Sequence, residues 1–442
     1  SFEKLAAERL MRSVQIPMTP VIEGKLISLF RSIKEGDFCC FIDAPDTLPP
    51  VLWEAGCEGE PLPKRALVIQ GNRLYIQKTW ALESLILQKV ADLLQQPVWK
   101  GDPQKFREAL VQLGDRLNPA QKQAVERAYE TSLALFTGGP GTGKSYTAAW
   151  FVRLLAEAHG RRFKTIIAAP TGKAAAHLEM AMAAQGALPE GVRCESATLH
   201  RLLDLYPYRQ QFDSGRLLDA DLVIVDEASM LDASLLLHLL QAIGPRTRLL
   251  LLGDPNQLPP VEGTGFFPEM AELFGQKLEQ SMRMGEGSLW QLSQAILAGR
   301  AEEARRLHSE AIEWRSWISN PSEMAKYLWE RLPAVQYQER PDPLALLQQQ
   351  KRFCILSALR RGPFGVDALN RQILEYYTRE KRSGWTVMPI LIIQNNEAQQ
   401  LYNGTMGVLI QERSGSYAYF QSAGGIRSIP EAALRSEEHT SE

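Results

Sequence analysis

Eight consecutive residues have the types and the spacing needed to bind a nucleoside triphosphate. They match the pattern G-x-x-x-x-G-K-S in full and read Gly138, Gly139, Pro140, Gly141, Thr142, Gly143, Lys144 and Ser145. In such a loop, glycines let backbone N–H groups turn toward phosphate oxygens, and the lysine brings a positive charge to the outer phosphates. The hydroxyl of Ser145 is suited to bind Mg²⁺. The loop therefore predicts a triphosphate site.

Two carboxylates and an amide follow at the ends of later apolar runs. Asp226 and Glu227 come directly after residues 222–225, and we expect Asp226 to share Mg²⁺ with Ser145 while Glu227 polarises the attacking water. Gln257 follows the next apolar run, where its amide is suited to sense the terminal phosphate. Lys144, Asp226, Glu227 and Gln257 are therefore candidate catalytic residues for phosphate hydrolysis.

The elements that must position these groups alternate between short apolar runs and helical patterns. The apolar runs are residues 133–136, 165–169, 222–225 and 248–252. Alternation of this kind predicts an α/β fold with a parallel sheet and helices on both of its faces. The carboxyl ends of parallel strands meet at one edge of the sheet, so the polar segments fall together there.

Composition limits the class of protein. The 442 residues carry a net charge of −2, so any grip on DNA must be local. Five scattered cysteines lack metal-site spacing and indicate reduced thiols. No apolar run reaches the ~18 residues of a membrane span, and the N-terminus is charged where a signal peptide is apolar. We therefore predict a cytoplasmic protein that has no membrane partner.

The order of the motifs resembles that of the superfamily-one DNA helicases. The phosphate loop, Asp-Glu-Ala-Ser at position 226 and Gly-Asp-x-x-Gln-Leu-Pro-Pro at position 253 follow one another as in that family. The resemblance implies ATP and Mg²⁺ as ligands, adenine reading by Gln121, and contact of Arg283 with the terminal phosphate. It also implies a grip on single-stranded DNA by hydroxyl, ammonium and imidazole groups in two further segments that contain Pro170, Thr171, Lys173, Thr198 and His200.

Other segments are similar to the RecD family, the alpha subunits of bacterial exonuclease V (RecBCD). They are residues 72–76, 357–366, 389–393 and 401–404. This resemblance implies RecA-like P-loop motor domains, a small helical N-terminal domain and a small SH3-like β-barrel insertion. It further implies a helicase subunit that moves 5′ to 3′ on single-stranded DNA, acts with RecB and RecC at duplex DNA ends in double-strand-break repair and recombination, and leaves nuclease chemistry to another subunit.

Five segments are expected from this resemblance. Residues 1–105 form a partner-docking domain, 106–275 the first RecA-like ATPase domain, 276–385 an incomplete second one, 386–434 the barrel, and 435–442 a tail that resembles a translated sequencing adapter. Two later helicase motifs, Thr-x-His-Lys-Ser-Gln-Gly and Tyr-x-x-x-Thr-Arg, do not occur in the 442 residues. We therefore expect a fragment that binds nucleotide, hydrolyses ATP poorly and does not unwind DNA.

Two alternatives remain open at this point. One places the same motor in a conjugative relaxase or a plasmid helicase. The other is a structural assembly subunit that uses nucleotide only as a clamp. The clamp has no need for a water-polarising carboxylate, so Glu227 argues against it.

Overall fold

The computed structural model of the protein describes most of the chain. It covers residues 2–55, 65–98, 101–160, 162–186, 191–205, 216–260, 263–279, 287–315, 320–332, 336–337, 340–350, 352, 354–379, 385–393, 396, 399, 401, 404–412, 415–422 and 425–434. The chain divides into two compact units, Ser1–Trp290 and Gln291–Glu442. None of the helices in these ranges combines the length and apolar character that crossing a bilayer requires. The finer domain boundaries stay predictions.

The first unit alternates helices and strands after an N-terminal α+β segment. Its helices are α1 (Phe2–Ser13), α2 (Pro20–Glu35), α3 (Gln77–Gln95), α4 (Pro103–Gln112), α5 (Pro119–Tyr129), α6 (Lys144–His159), α7 (Gly172–Ala183), α8 (Leu199–Leu202), α9 (Ala233–Ala242) and α10 (Phe267–Phe274). Its strands are β1 (Cys39–Phe41), β2 (Trp53–Ala55), β3 (Leu67–Gln70), β4 (Arg73–Ile76), β5 (Leu133–Thr137), β6 (Phe163–Ala169), β7 (Val192–Thr198), β8 (Leu222–Val225), β9 (Arg248–Gly253) and β10 (Gln276–Lys277).

A six-stranded parallel sheet forms the centre of the first unit. Its strand order is β10-β5-β9-β8-β6-β7, and every neighbouring pair is parallel. The four predicted apolar runs are the strands β5, β6, β8 and β9. Because such strands are buried on both faces, they read as continuous apolar runs in the sequence. The predicted α/β fold class is confirmed.

Alternate residues of each strand feed two separate cores, one on each face of the sheet. Ala134 and Phe136 pack on the face that carries α4, α5, α6 and α7, here called the phosphate-loop face. Leu133 and Leu135 pack on the opposite face against α9 and α10, here called the α9 face. This alternation follows from the two-residue period of a strand.

The N-terminal segment contributes a core of its own and also part of the α9 face. A small sheet of order β1-β4-β3-β2 packs with α1 and α2 through residues such as Leu26 and Leu74. Helix α3 instead joins the α9 face, where Trp80 and Ile86 are buried with α9. The sequence predicts a mainly helical domain here, with one β-like patch at residues 66–69 and 74–76. This prediction missed β1 and β2, which are too short to give a two-residue pattern.

The second unit holds the remaining elements, and the division between the units falls inside α11. The helices are α11 (Ser288–Leu297), α12 (Ala301–Arg306), α13 (Pro321–Trp329), α14 (Pro343–Gln350) and α15 (Val366–Arg379). The strands are β11 (Gln336–Tyr337), β12 (Trp385–Leu391), β13 (Met406–Glu412), β14 (Gly415–Ser422) and β15 (Gly425–Pro430).

The strands of the second unit form an antiparallel sheet in chain order, β11 to β15. The predicted antiparallel strands are therefore present, while closure into an SH3-like barrel stays a prediction. Residues 313–317 and 353–357 are two further strand candidates in the sequence. Within the described residues, 313–315 and 354–357 are not strands, and no parallel pair is found in this unit. The parallel sheet expected for the second motor domain is thus not seen in the described part of the chain.

Candidate nucleotide and DNA site

The strand register brings the predicted segments to one edge of the parallel sheet. Thr137 at the end of β5 lies opposite Gly253 at the end of β9. On β8, Val225 lies opposite Leu251 on one side and Ala168 on the other. Neighbouring strands are about 4.8 Å apart, so the phosphate loop, the Gln257 loop, the acidic pair and the residue 170 segment stand in that order along the edge.

The phosphate loop has the backbone conformation that its glycines predict. Gly138, Gly141 and Gly143 have positive φ values of 153°, 77° and 83°, a region that favours glycine. A side chain on Gly138 would meet the carbonyl oxygen of Leu278 at 2.4 Å. Any side chain at these positions would therefore push the loop out of shape.

The helix that follows the loop begins without a side-chain cap. Its N-cap residue is Gly143, whereas α5, α7 and α9 are capped by Asn118, Thr171 and Asp232. The first N–H groups of a helix need acceptors and carry partial positive charge. The start of α6 therefore suits a phosphate group, and the residues of the loop fit a triphosphate.

Lys144 folds back over its own loop. Its Nζ donates to the carbonyl oxygens of Gly138 at 2.7 Å and Gly139 at 3.1 Å. The hydroxyl of Thr142 also donates to Gly139 O at 2.9 Å, and Thr142 is buried. These bonds keep the loop in the shape of a cradle and hold the ammonium group at its rim. Ser145 begins the helix beside it and is partly exposed.

The acidic pair lies at the end of β8 with a distinctive backbone. Asp226 is only 6% exposed, and its N–H donates to Ala168 O at 2.9 Å. Its Oδ1 accepts from the N–H of Glu227 at 2.9 Å. Glu227 has φ 52° and ψ 41°, a left-handed conformation that is rare and costly for a residue with a side chain. The chain therefore changes direction at Glu227, directly after the strand. A costly backbone conformation of this kind is typical of a residue that is positioned at a functional site.

The Gln257 loop begins at a glycine that sequence analysis did not explain. A Cβ on Gly253 would meet the Phe267 ring at 2.6 Å, so only glycine fits under that ring. Asp254 is buried, and its Oδ1 accepts from Asn256 N at 3.0 Å. Gln257 itself is exposed. The start of the loop is therefore fixed, while the amide of Gln257 faces solvent.

Gln121 serves the helix that carries it and also contacts the phosphate loop. Its Oε1 accepts from Asn118 N at 3.0 Å, and Asn118 Oδ1 accepts from Gln121 N at 2.9 Å, which is a capping box. Its Nε2 lies 2.7 Å from the position of a Cβ on Gly143. The capping bond uses only one lone pair of the amide oxygen, and the NH₂ group has two hydrogens. Gln121 therefore keeps the capacity to bond a base, and adenine reading by Gln121 stays a prediction.

The predicted DNA-binding residues follow the next two strands along the same edge. Thr171 Oγ1 accepts from Ala174 N at 3.3 Å, and Thr198 Oγ1 accepts from Arg201 N at 3.4 Å. A hydroxyl that accepts at a cap keeps its proton for donation to a phosphate. Pro170 is partly exposed and His200 is exposed. The side chain of Lys173 lies outside the described part of the chain.

Arg283 also lies outside the described residues. The chain that leads to it can be followed as far as Glu279. Leu278 N donates to Thr137 O at 2.7 Å, so this segment starts directly beside the phosphate loop.

Arg248 is a buried cation that sequence analysis missed. Its Nη1 donates to the carbonyl oxygens of Ala128, Tyr129 and Thr131 at 3.1, 3.0 and 2.9 Å, and burial lowers its pKa to about 10. The first two of these carbonyl groups lie in the last turn of α5, the helix whose start holds Gln121, and the third lies just beyond it. The signal in the sequence was an arginine placed at the beginning of an otherwise apolar strand.

Comparisons with known proteins identify what the chain is similar to. The AAA domain family model matches residues 121–263. The chain is 33% identical to RecBCD enzyme subunit RecD of Mycolicibacterium smegmatis over 89% of this chain and 76% of that protein. It is 30% identical to the ATP-dependent RecD2 DNA helicase of Deinococcus radiodurans over 77% of this chain and 45% of that protein. The Pif1 helicase from Candida albicans aligns with a TM-score of 0.36 and 16% identity over 71% of this chain and 78% of that one.

The parallel sheet, the phosphate loop and these relatives define the class of protein. The chain is an ATP-dependent DNA helicase of the P-loop type. Within that class, it belongs to the RecD family. The resemblance found in the order of the sequence motifs is therefore confirmed.

Proposed function

We propose that the protein is the 5′–3′ helicase and translocase subunit of an exonuclease V that repairs and recombines broken DNA. In this proposal it works at duplex ends together with RecB-type and RecC-type subunits. One observation carries the proposal: the phosphate loop, the acidic pair, the Gln257 loop and the two DNA segments all end neighbouring strands at one sheet edge. The name of the M. smegmatis relative, a RecBCD subunit, supports the choice of partners.

ATP is placed by the loop and by the start of α6. The N–H groups from Gly141 to Ser145 face the phosphates, and Lys144 exchanges the carbonyl oxygens of its own loop for phosphate oxygens. Gln121 reads adenine from beside Gly143. Gln257 and Arg283 contact the terminal phosphate. The positive charge of Arg283 stabilises the negative charge that develops there in the transition state.

The residues present fit a Mg²⁺ ion. Asp226 is a nearly buried carboxylate at the end of β8, and a carboxylate oxygen is a hard ligand of the kind that Mg²⁺ prefers. Ser145 supplies a hydroxyl on the first turn of α6, and oxygen ligands of these two kinds are those that Mg²⁺ takes in nucleotide sites. When bound, the ion neutralises charge on the β- and γ-phosphates. Glu227 polarises the attacking water, and its left-handed backbone holds it in place for this.

Coupling to DNA follows from the strand order. β8 ends in the acidic pair and lies between β9, which ends in the Gln257 loop, and β6, which leads to Thr171. A change at the terminal phosphate therefore reaches the DNA segment through adjacent strands. Thr171, Lys173, Thr198 and His200 supply donors for the phosphates of single-stranded DNA, and Pro170 shapes the first of these segments.

ATP hydrolysis and strand displacement test the proposal together. For an intact subunit bound to RecB-type and RecC-type subunits, we expect single-stranded DNA to stimulate hydrolysis, and a duplex with a 5′ tail to be unwound in preference to one with a 3′ tail. The same assays on the 442 residues alone test the poor hydrolysis and the lack of unwinding expected from the two missing motifs. Glu227→Gln should keep nucleotide binding and lose hydrolysis by about a hundredfold or more. Glu195→Gln, an exposed carboxylate on β7, is the control. Preference for a 3′ tail contradicts the polarity.

The alternatives predict different results. A nucleotide clamp binds ATP without turnover, so DNA-stimulated hydrolysis that depends on Glu227 excludes it. A relaxase or plasmid-type motor acts without RecB-type and RecC-type subunits. Failure of this chain to co-purify with both of them, while it unwinds DNA alone, favours that motor.

A further inference from the structure

The segment between the Gln257 loop and α10 is held by the N-terminal part of the chain. Thr264 Oγ1 donates to the carbonyl oxygen of Asp37 at 3.4 Å. The rings of Phe38 and Phe266 meet edge-on, with centroids 5.7 Å apart and planes at 87°. Both rings are buried, so this is a packed contact of the favourable aromatic geometry.

The same segment is bonded to the element that follows the acidic pair. Ala233 N, in the first turn of α9, donates to Thr264 O at 2.8 Å. Gly265 pairs with Asp232, the N-cap of that helix. A side chain on Gly265 would also meet Pro260 at 3.0 Å, so the far end of the Gln257 loop packs here.

The near end of the loop is reached through the next residue. The Phe267 ring packs on Gly253 so closely that a Cβ there would lie 2.6 Å from it. Gly253 O accepts from Gly138 N, the first residue of the phosphate loop, at 3.3 Å. Between these two ends, residues 256–259 are exposed. The placement of Gln257 therefore depends on its anchors and not on burial of the loop itself.

We propose that Asp37 and Phe38 are positioning residues for ATP hydrolysis. They hold residues 264–267, which fix both ends of the Gln257 loop and so place its amide relative to the phosphate loop. This inference rests on the proposed function, since it gives the N-terminal contact a role in the hydrolytic step. It makes the N-terminal segment part of the catalytic apparatus in addition to any docking role.

The expected effect is on turnover and not on nucleotide binding. Phe38→Ala should lower kcat for DNA-stimulated ATP hydrolysis about tenfold, because small misplacements of a reacting group have effects of this size or larger. KM for ATP should stay within about twofold, because the phosphate-loop contacts are untouched. Phe41→Ala is the matched control: it lies on β1 and is 69% exposed, and both constants should stay at the wild-type values.

A double-mutant cycle tests whether the effect passes through the ring contact. Phe38→Ala and Phe266→Ala should each lower kcat, and the double variant should lose no more than the larger single loss. Thr264→Val removes the bond to Asp37 and keeps the side-chain shape, so it decides the matter if Phe38→Ala does not fold. We expect it to lower kcat about threefold with KM unchanged.

The outcomes separate this inference from the proposed function. An intact wild-type subunit that shows no DNA-stimulated hydrolysis when bound to RecB-type and RecC-type subunits contradicts the proposed function. If the wild type is active and Phe38→Ala keeps the wild-type kcat, the inference is overturned. If Phe38→Ala does not fold, a Thr264→Val variant that keeps the wild-type kcat overturns it instead. Additive losses, or a loss confined to KM, overturn it too.

Discussion

The two faces of the parallel sheet are covered from different parts of the chain. The phosphate-loop face is built from α4 to α7, which are neighbours of their strands in sequence. The α9 face combines α9 and α10 with α3 from the N-terminal segment. Both cores are densely apolar. Only the core on the α9 face includes a helix, α3, that lies far upstream of the motor motifs in the sequence.

This difference separates two tasks within one motor. The phosphate-loop face carries α5 and α6, which in the proposed function bind the nucleotide through loop geometry and helix ends. The α9 face fixes the segments after Asp226 and Gln257, which in the proposed function respond to the nucleotide. A partner that docks on the N-terminal segment therefore has structural access to the second task without touching the first.

Lys144→Gln should affect chemistry alone. We expect hydrolysis to fall by at least about a hundredfold, since the main positive charge on the phosphates is deleted. The thermal midpoint should change little, because Lys144 lies in a loop at the edge of the sheet and is not a member of either hydrophobic core. Lys105→Gln, on the exposed side of α4, is the control. A large fall in the midpoint would show that Lys144 also supports the fold.

Ile86→Ala should destabilise the motor from the N-terminal segment. Ile86 is fully buried on the α9 face, and such a truncation removes about 2–5 kcal/mol of unfolding free energy. Leu87→Ala is the control, since Leu87 is the next residue of the same helix and is 47% exposed. Urea unfolding followed by the fluorescence of the motor's tryptophans measures both variants. Equal, small effects would mean that α3 is not part of the motor core.

Arg248→Met should destabilise the phosphate-loop face. The change leaves three carbonyl groups at the end of α5 without their donor, which should lower the unfolding free energy by about 1–3 kcal/mol. Arg107→Met, exposed on α4, should change little. Recovery of most of the loss by Arg248→Lys would assign the effect to the charge, and no recovery would assign it to the planar guanidinium.

Ser229→Ala should stabilise the α9 face slightly. Ser229 is 4% exposed, and its Oγ has no hydrogen-bond partner among the described residues. Removing such a hydroxyl should raise the unfolding free energy by up to about 1 kcal/mol. Thr165→Val removes a similar hydroxyl from β6 and should act in the same direction. A loss of stability from Ser229→Ala alone would reveal a partner for that hydroxyl.

The chemistry of the site was more predictable than its supports. Residues from Gly138 to Ser145, the pair at 226 and 227, and the strands that carry them follow from local patterns, because short-range periodicity and spacing encode them. Their meeting at one edge then follows from parallel topology.

Long-range packing could not be predicted in the same way. Nothing in the sequence around Phe38 indicates that its ring meets Phe266. The need for glycine at 253 comes from the ring of Phe267, and no periodic pattern links these two positions although they are only 14 residues apart. The role of α3 was missed because its amphipathic pattern shows that one face is buried, without showing what buries it.

The burial of α3 against α9 has a consequence for how the chain is made. The apolar side of α3 leaves the ribosome well before α9, which begins about 140 residues later and is synthesised roughly ten seconds or more afterwards at ordinary rates. During that interval Trp80, Ile86 and their neighbours lack the part of their native cover that α9 supplies. Newly made protein should therefore need a chaperone at this helix, and expression should be more sensitive to translation speed here than at the phosphate loop.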